Sequence, residues 1–278
     1  MVNFAEKCMR RVIIICLACV VILFSFYEYY QYRWQNLWVF ENERTPYPVI
    51  CHEDDTIRVA MIGDSWAEMH ASNKMDSILQ LKISSQTGQP VIMTSKGKGG
   101  EKSRGIYQLL FDDNDKYGTK EIIASGLDYC VISAGINDAS ANLGPRLYCY
   151  FMRHIIKFLL SNKIRPVLIE IPDVNLWKVH GRKPLKDLAS DYLRSIMTHC
   201  KMYQMGEYRD SLRAMLINEN LMDSVIYIHA YEWNGNDTAI NQQLFLNDQI
   251  HLNKKGYELL DSCIAKKITS NIVSKRFQ

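Results

Sequence analysis

The sequence predicts an α/β protein, a three-layer α/β/α sandwich with a parallel sheet of about five strands, preceded by one transmembrane helix. Three observations lead to this fold. Apolar runs typical of buried strands alternate with stretches long enough for helices, which favours right-handed βαβ crossovers. The first of these runs ends in Gly-Asp-Ser, which predicts a strand-to-helix corner. A separate apolar run near the N-terminus is long enough to cross a bilayer.

The N-terminal segment has the pattern of a membrane anchor. An uncharged apolar run extends from Val12 to Tyr27, and Tyr and Trp residues follow it as they do at a membrane–water interface. Three basic residues precede the run, namely Lys7, Arg10 and Arg11. Because positive residues stay on the cytoplasmic side, we expect residues 1–11 in the cytoplasm, 12–30 in the membrane and the later residues on the extracytoplasmic side.

Two other interpretations of this segment stay open. A signal peptide would be cleaved, although no small-x-small cleavage site follows the apolar core. Leu17-Ala18-Cys19 is weakly similar to a lipoprotein cleavage box, but the apolar run continues past Cys19, where a lipoprotein has a polar tether. Residues 31–56 mix aromatic, charged and proline residues without periodicity, which predicts a linker or strap before a domain over 57–278.

The domain contains five candidate strands and two clear candidate helices. The strands are short apolar runs at 57–63, 90–95, 127–135, 166–172 and 224–230. The helices cover 147–163 and 185–203. The length of the segment 57–278 is that of one globular domain.

Composition argues against several classes of function. The net charge is only +3, and no basic stripe interleaved with aromatic residues indicates a nucleic-acid surface. The cysteines outside the N-terminal segment are widely spaced and predict neither a disulfide framework nor a metal site. A glycine-rich loop over 97–103 can be compared with a phosphate cradle, but it lacks the Gly-Lys-Ser/Thr ending of a nucleotide loop. We therefore expect no metal and no cofactor.

Ser65 is the candidate nucleophile. It follows the first strand directly, at the end where open α/β sheets bind ligands and where free backbone N–H groups face the crevice. A simple helix N-cap is the structural alternative for this serine. Asp64 is interpreted as a structural residue that holds the turn.

A serine nucleophile requires a base, a carboxylate that orients the base, and donors for the oxyanion. Asp248 and His251 lie three residues apart just before the last helix and can supply the carboxylate and the base. Asn137 follows the third strand, which ends at Gly135, and its side-chain N–H can donate to an anionic oxygen. For each of these motifs an ordinary turn is the alternative.

These blocks, in this order, resemble the SGNH hydrolases, the GDSL-like esterase and lipase superfamily, over about residues 57–270. The blocks are Gly63-Asp64-Ser65, Gly100 with Ser103 after it, Gly135-Ile136-Asn137-Asp138, and Asp248-Gln249-Ile250-His251. The resemblance implies a flavodoxin-like sheet with Ser65 as nucleophile, His251 as general base and Asp248 as orienting acid. It also implies an oxyanion hole formed by the N–H groups of Ser65 and Gly100 and the side chain of Asn137. Ser95 stands where family members often have Asn, so Gly99 is the alternative to Gly100.

The implied activity is hydrolysis of a carboxylic ester through an acyl-serine intermediate. A domain outside the cytoplasmic membrane, without a second apolar helix for a fatty chain, favours short acyl esters such as acetyl groups on cell-envelope carbohydrate. A lysophospholipase or lipase is an alternative, with Trp177 in a predicted loop lining an acyl groove. A sugar O-acyltransferase with the same triad and a catalytically inactive, anchored glycan-binding module are further alternatives. No feature of the sequence indicates whether the protein is a monomer or an oligomer.

Overall fold

The structure is a computed structural model that describes residues 2–39, 44–235 and 243–276 of the chain. The chain divides into two compact units, Met1–Thr45 and Pro46–Gln278.

The first unit contains one long helix, α1, over Val2–Val39. Eighteen consecutive residues within its stretch Glu6–Tyr32 have a mean hydropathy of 2.4, and the stretch is long and apolar enough to cross a membrane, a property that signal sequences share. The helix continues past residue 30 to Val39, so residues 31–39 of the predicted linker are helical. The reason is that no glycine or proline interrupts the chain between Tyr27 and Pro46. Residues 40–43 of the predicted linker lie outside the described residues.

The second unit is built on a five-stranded parallel sheet, which confirms the predicted fold class. Its strands are β1 Ile57–Gly63, β2 Val91–Gly97, β3 Tyr129–Ser133, β4 Arg165–Ile169 and β5 Ile226–Ile228. They lie in the order β2-β1-β3-β4-β5, so the central strand β3 separates the first and last parts of the chain. All five strands end at the same edge of the sheet, because all pairs are parallel.

The helices of this unit cover the two faces of the sheet. They are α2 Ser65–Ser72, α3 Met75–Thr87, α4 Ser103–Leu109, α5 Lys120–Ala124, α6 Ile136–Ser140, α7 Pro145–Ser161, α8 Leu176–His180, α9 Leu185–Met197, α10 Gly206–Asn218, α11 Tyr231–Asn234 and α12 Lys254–Arg276. Helices α3 and α12 pack on each other, and α7 packs on α4 and α10. Helix α9 ends at Met197 rather than at residue 203, because the backbone enters the left-handed region at His199, whose φ is 54°.

The globular unit begins before the first strand. The hydroxyl of Tyr47 donates to the carbonyl of Leu110 at 2.7 Å, and its ring packs against Phe111 and Phe158. The N–H of Ile50 donates to Ala124. Residues 46–56 therefore belong to the packed unit, and the domain boundary predicted at residue 57 is too late. The single aromatic anchor in this stretch leaves no periodic signal in the sequence.

Gly63 brings β1 and β3 close together at the edge where the strands end. A Cβ atom at this position would lie 2.1 Å from the carbonyl oxygen of Ser133. The next residue, Asp64, donates its N–H to the same oxygen at 3.2 Å. Only glycine allows this approach, so the end of β1 is fixed against its neighbour before the chain turns into α2.

A buried imidazole joins four elements beneath this edge. The side chain of His70, on α2, is fully buried, and its Nδ1 lies 2.8 Å from a carboxylate oxygen of Asp76 on α3. Its Nε2 lies 3.0 Å from Asp261 on α12. Ser95 on β2 donates its N–H to the second oxygen of Asp76. Because both ring nitrogens face carboxylates, the charged imidazolium is the form that satisfies both of them.

Burial opposes the charged form of His70, but the hydrogen bonds to Asp261 and Asp76 outweigh it and raise the pKa of His70 to about 9. A group whose folded-state pKa exceeds its unfolded value stabilises the protein below the unfolded value, near 6.5. This stabilisation is lost as the pH rises through about 9.

We predict that His70→Gln, which keeps the size and polarity but removes the charge, lowers the free energy of unfolding by about 3 kcal/mol near pH 6. The difference from the wild type should shrink as the pH rises through about 9, because the wild type then loses its own charge. Urea unfolding of both proteins at a series of pH values measures this difference in the free energy of unfolding. His154→Gln is the matched control, since half-buried His154 has a lowered pKa. A loss of unfolding free energy in His70→Gln that does not vary with pH would contradict a charged His70 between Asp76 and Asp261.

Candidate active site

Ser65 lies at the corner between β1 and α2, as the sequence predicts. It is the first residue of α2, and the preceding Asp64 caps the helix by accepting the N–H of Trp66 at 3.1 Å. Asp64 also accepts the hydroxyl of Ser133 at 3.2 Å. Burial raises the pKa of Asp64 to about 7, against the lowering effect of these two hydrogen bonds. These contacts fit the interpretation of Asp64 as the residue that holds the turn.

The structure brings Ser65, His251 and Asp248 into one hydrogen-bonded line. The Oγ of Ser65 lies 2.9 Å from Nε2 of His251, and Nδ1 of His251 lies 2.7 Å from Oδ2 of Asp248. In the tautomer with its proton on Nδ1, the imidazole donates to Asp248 and accepts the hydroxyl proton of Ser65. This is the arrangement in which an imidazole can remove the proton of a serine.

The loop that carries His251 is held by its own backbone. Oδ1 of Asp248 accepts the N–H groups of Ile250 and His251, and Leu246 donates its N–H to the carbonyl of His251 at 2.7 Å. Gln249 takes a φ of 61°, which lets the chain turn between the two catalytic candidates. Burial opposes the ionised form of Asp248, but hydrogen bonds from the backbone and side chain of His251 and from Ile250 hold its pKa below the usual range.

Trp66 connects the serine helix to the histidine loop. Its indole N–H donates to the carbonyl of Ile250 at 3.1 Å, and its own carbonyl accepts the hydroxyl of Tyr257, on α12, at 3.0 Å. Trp66 therefore fixes the start of α2, beside the candidate nucleophile, against the histidine loop. Sequence reasoning missed it, because nothing in the local pattern shows that an indole next to Ser65 reaches a carbonyl near residue 250.

Two of the three predicted oxyanion donors are backbone N–H groups. Among residues 44–235 and 243–276, the N–H groups of Ser65 and Gly100 donate to no protein acceptor. Gly100 has a φ of 73°, in the left-handed region that glycine favours, whereas Gly99 does not. The loop is held by the N–H of Lys98, which donates to the carbonyl of Gly63 at 3.1 Å. Among the same described residues the N–H of Gly99 also donates to no protein acceptor, so Gly99 remains the alternative to Gly100.

Asn137, the third predicted donor, lies at the start of α6 against the same loop. Its Nδ2 donates to the carbonyl of Glu101 at 2.9 Å and to Oδ2 of Asp64 at 3.4 Å. Both bonds hold the amide against protein acceptors, and the bond to Asp64 is the longer of the two. Asn137 thereby joins the first, second and third sequence blocks at one place.

Asp138 holds the second and third blocks together. Its buried carboxylate accepts both the N–H and the hydroxyl of Ser103, at 2.9 and 2.6 Å, at the start of α4. Burial raises the pKa of Asp138 to about 6, although the two bonds from Ser103 oppose the shift. Ser103 is therefore structural.

An open cavity of about 510 Å³ adjoins the histidine loop. Gln249, between the two catalytic candidates, is part of its wall, and so is Glu170 just past the end of β4. Much of the remaining wall is polar or charged and includes Asn175, Arg209, Arg213 and His229. Its volume lies in the range of ligand pockets, and Gln249 connects its wall to the loop of Asp248 and His251, which do not line it themselves.

No protein-family model matches this sequence, and no curated protein matches it significantly. Solved structures do match the fold. A lipase/acylhydrolase from Enterococcus faecalis has a TM-score of 0.55 at 18% identity, covering 77% of this chain and 96% of that one. A psychrotrophic esterase from Pseudoalteromonas sp. has a TM-score of 0.51 at 16% identity, covering 79% and 99%. An acetyl-xylooligosaccharide esterase from Geobacillus Stearmophilus has a TM-score of 0.51 at 14% identity, covering 76% and 94%.

These similarities identify the fold. The chain has the α/β fold of the GDSL-type lipases and acylhydrolases, which confirms the fold that the four sequence blocks imply.

We predict that Asn137→Ala lowers kcat for a small ester by about 10²-fold with little change in KM, because an oxyanion donor acts mainly in the transition state. Ser133→Ala is the matched control, since it removes a hydrogen bond to Asp64 and leaves the amide of Asn137 in place. Steady-state kinetics of both variants test the role. An effect on KM alone, or equal losses of kcat in the two variants, would assign Asn137 a different role.

Proposed function

We propose that this protein is a serine esterase that hydrolyses carboxylic esters through Ser65, His251 and Asp248. The observation that carries the proposal is the hydrogen-bonded line from Ser65 Oγ to His251 Nε2, at 2.9 Å, and from His251 Nδ1 to Asp248, at 2.7 Å. Its place at the carboxyl edge of a parallel sheet, where ligands bind in this class of fold, supports it. So does the fold shared with lipases and esterases.

The reaction has two halves. Ser65 Oγ attacks the carbonyl carbon of the ester while its proton passes to Nε2 of His251, and the resulting oxyanion accepts hydrogen bonds from Ser65, Gly100 and Asn137. When the tetrahedral intermediate collapses, the bond to the alcohol breaks and His251 returns the proton to the alcohol oxygen. Water then attacks the acyl-serine with His251 again as the base, which releases the acid and restores Ser65.

The substrate class within this proposal is a short acyl ester, such as an acetyl group on cell-envelope carbohydrate. The polar cavity beside Gln249 supports it, because hydroxyl groups of a sugar find donors and acceptors there. One protein with the same fold is described as an acetyl-xylooligosaccharide esterase. A sugar acceptor in place of water would turn the same chemistry into acyl transfer.

The location within this proposal is the extracytoplasmic side of a membrane, with α1 as an uncleaved anchor. The apolar stretch of α1 and its basic N-terminal flank of Lys7, Arg10 and Arg11 support this orientation. The globular unit begins at Pro46, so the anchor and the catalytic residues belong to separate compact units.

We predict that Ser65→Ala and His251→Ala each remove nearly all hydrolysis of p-nitrophenyl acetate. The double variant should be little worse than either single variant, because the two side chains act as one unit. Ser72→Ala is the matched control, since Ser72 lies on the same helix and only donates to the carbonyl of Glu68. Multiplicative losses in the double variant, or full activity of Ser65→Ala, would refute the shared mechanism.

We predict that the full-length protein stays in the membrane after alkaline carbonate washing and keeps its intact mass. A chain that begins at Pro46 should be soluble and equally active on p-nitrophenyl acetate, because every catalytic candidate lies in the second compact unit. A chain that begins at Ile57 should be less stable, because it loses the packing of Tyr47. A mature N-terminus between residues 19 and 40 by mass spectrometry would refute the anchor, and a lipid-modified Cys19 would favour the lipoprotein alternative.

A further inference from the structure

Helix α9 packs with its polar side against the protein and its apolar side outward. The buried residues of the helix are Asp191 and Ser195. Its large apolar residues are mostly exposed, with Leu185 at 83% and Leu193 at 61% of their full accessible surface. This is the reverse of the usual arrangement, in which the apolar stripe of a surface helix faces the core.

The outward residues form one continuous stripe, which we call the α9 face. Their positions follow the three- and four-residue spacing of one side of a helix. The stripe consists of Leu185, Leu188, Ala189, Tyr192, Leu193 and Ile196. Helix α8 adds Trp177, which is 49% exposed. Trp177 thus lies on a helix rather than in the predicted loop, and its ring contacts Tyr203.

Polar contacts fix this orientation of the helix. The carboxylate of Asp191 accepts Nζ of Lys183 at 2.7 Å and the hydroxyl of Tyr203. Near the C-terminal end of the helix, Arg194 donates to the carbonyl of Ala141 at 3.2 Å. The Asp191 carboxylate would lose its partners if the helix rotated to bury its leucines, so the exposed apolar stripe is built into the fold.

The surroundings of the α9 face are positively charged. Residues 177–201 contain six Lys or Arg residues and two Asp residues. One of the two acidic groups, Asp191, is already paired with Lys183. Lys178, Arg182 and Lys186 are exposed beside the apolar stripe. An apolar stripe that includes a tyrosine, with a basic border and an exposed tryptophan beside it, has the pattern of a helix that lies in the interface of an anionic bilayer.

We propose that the α9 face docks on the surface of an anionic lipid bilayer. The basic border attracts the lipid headgroups, while the leucine and isoleucine side chains enter the boundary of the acyl chains. The chain contains a helix that is long and apolar enough to cross a membrane. A protein anchored by this helix would be held next to a bilayer, which favours a bilayer as the partner of the α9 face. The basic border favours this partner over a second copy of the chain, which would bring the same positive charges together.

Helix α8, which adds Trp177 to the α9 face, contacts helix α6 of the candidate active site. Nε2 of His180, the last residue of α8, is 2.6 Å from the hydroxyl of Ser140, the last residue of α6. Helix α6 carries the predicted oxyanion donor Asn137 near its start. If the proposed esterase function is correct, docking would hold the site at the bilayer surface.

A matched pair of tryptophan substitutions tests the docking. Leu193 lies on the α9 face, whereas Leu81 is an equally exposed leucine, 68% accessible, on α3. Full-length Leu193→Trp and Leu81→Trp are placed in vesicles of phosphatidylcholine and phosphatidylglycerol whose acyl chains are brominated. The quantity measured is the fluorescence that each variant adds to that of the parent. We expect bromine to quench about half or more of the emission added at position 193 and little of that added at position 81.

The quenching at position 193 should fall when phosphatidylglycerol is omitted, and it should fall in Leu193→Trp that also carries Lys178→Gln, Arg182→Gln and Lys186→Gln. Equal quenching at both positions, or none at either, would overturn the proposal. A blue-shifted but unquenched signal at position 193 that grows with protein density would assign the face to contact between copies. Hydrolysis of p-nitrophenyl acetate by each variant shows that it is folded. The quenching itself needs no catalysis, so loss of activity in Ser65→Ala leaves the readout intact.

Discussion

The candidate site depends on one contact, the hydrogen bond between Ser65 and His251, whose residues are separated by 186 positions in the chain. A bond of 2.9 Å between such distant residues is kept only if both backbones are fixed independently. Gly63 fixes the serine side by letting β1 close against Ser133 before the turn. The histidine side is fixed by Asp248, whose carboxylate holds both the backbone and the ring of His251.

The packing between α2 and the last part of the chain joins these two sides. Trp66 holds the carbonyl of Ile250, and Tyr257 holds the carbonyl of Trp66. One further turn along α2, His70 reaches Asp261 on α12. Burying an imidazolium between two carboxylates carries a desolvation penalty, because each charge is more stable in water. We infer that the buried imidazolium fixes the spacing between α2, which begins with Ser65, and α12, which follows His251.

The sequence predicts the parts of this arrangement that are local. The run 57–63 is a strand with the predicted bounds, and Ser65, Asn137, Asp248 and His251 lie together as the four blocks imply. Contacts between distant segments leave no such pattern, so the bond of Trp66 to Ile250 and the packing of Tyr47 were not predictable. Helix α9 shows most clearly what the sequence does not predict. The periodicity predicts its apolar stripe, but not that the stripe faces away from the protein.

The most direct test of the central claim is covalent labelling with a fluorophosphonate ester, which reacts with a serine only when a neighbouring base activates it. We expect peptide mass spectrometry to find the adduct on Ser65, with labelling at least about 10²-fold slower in His251→Ala and unchanged in Ser72→Ala. An adduct on another serine, or labelling of Ser65 that is equally fast without His251, would contradict the account.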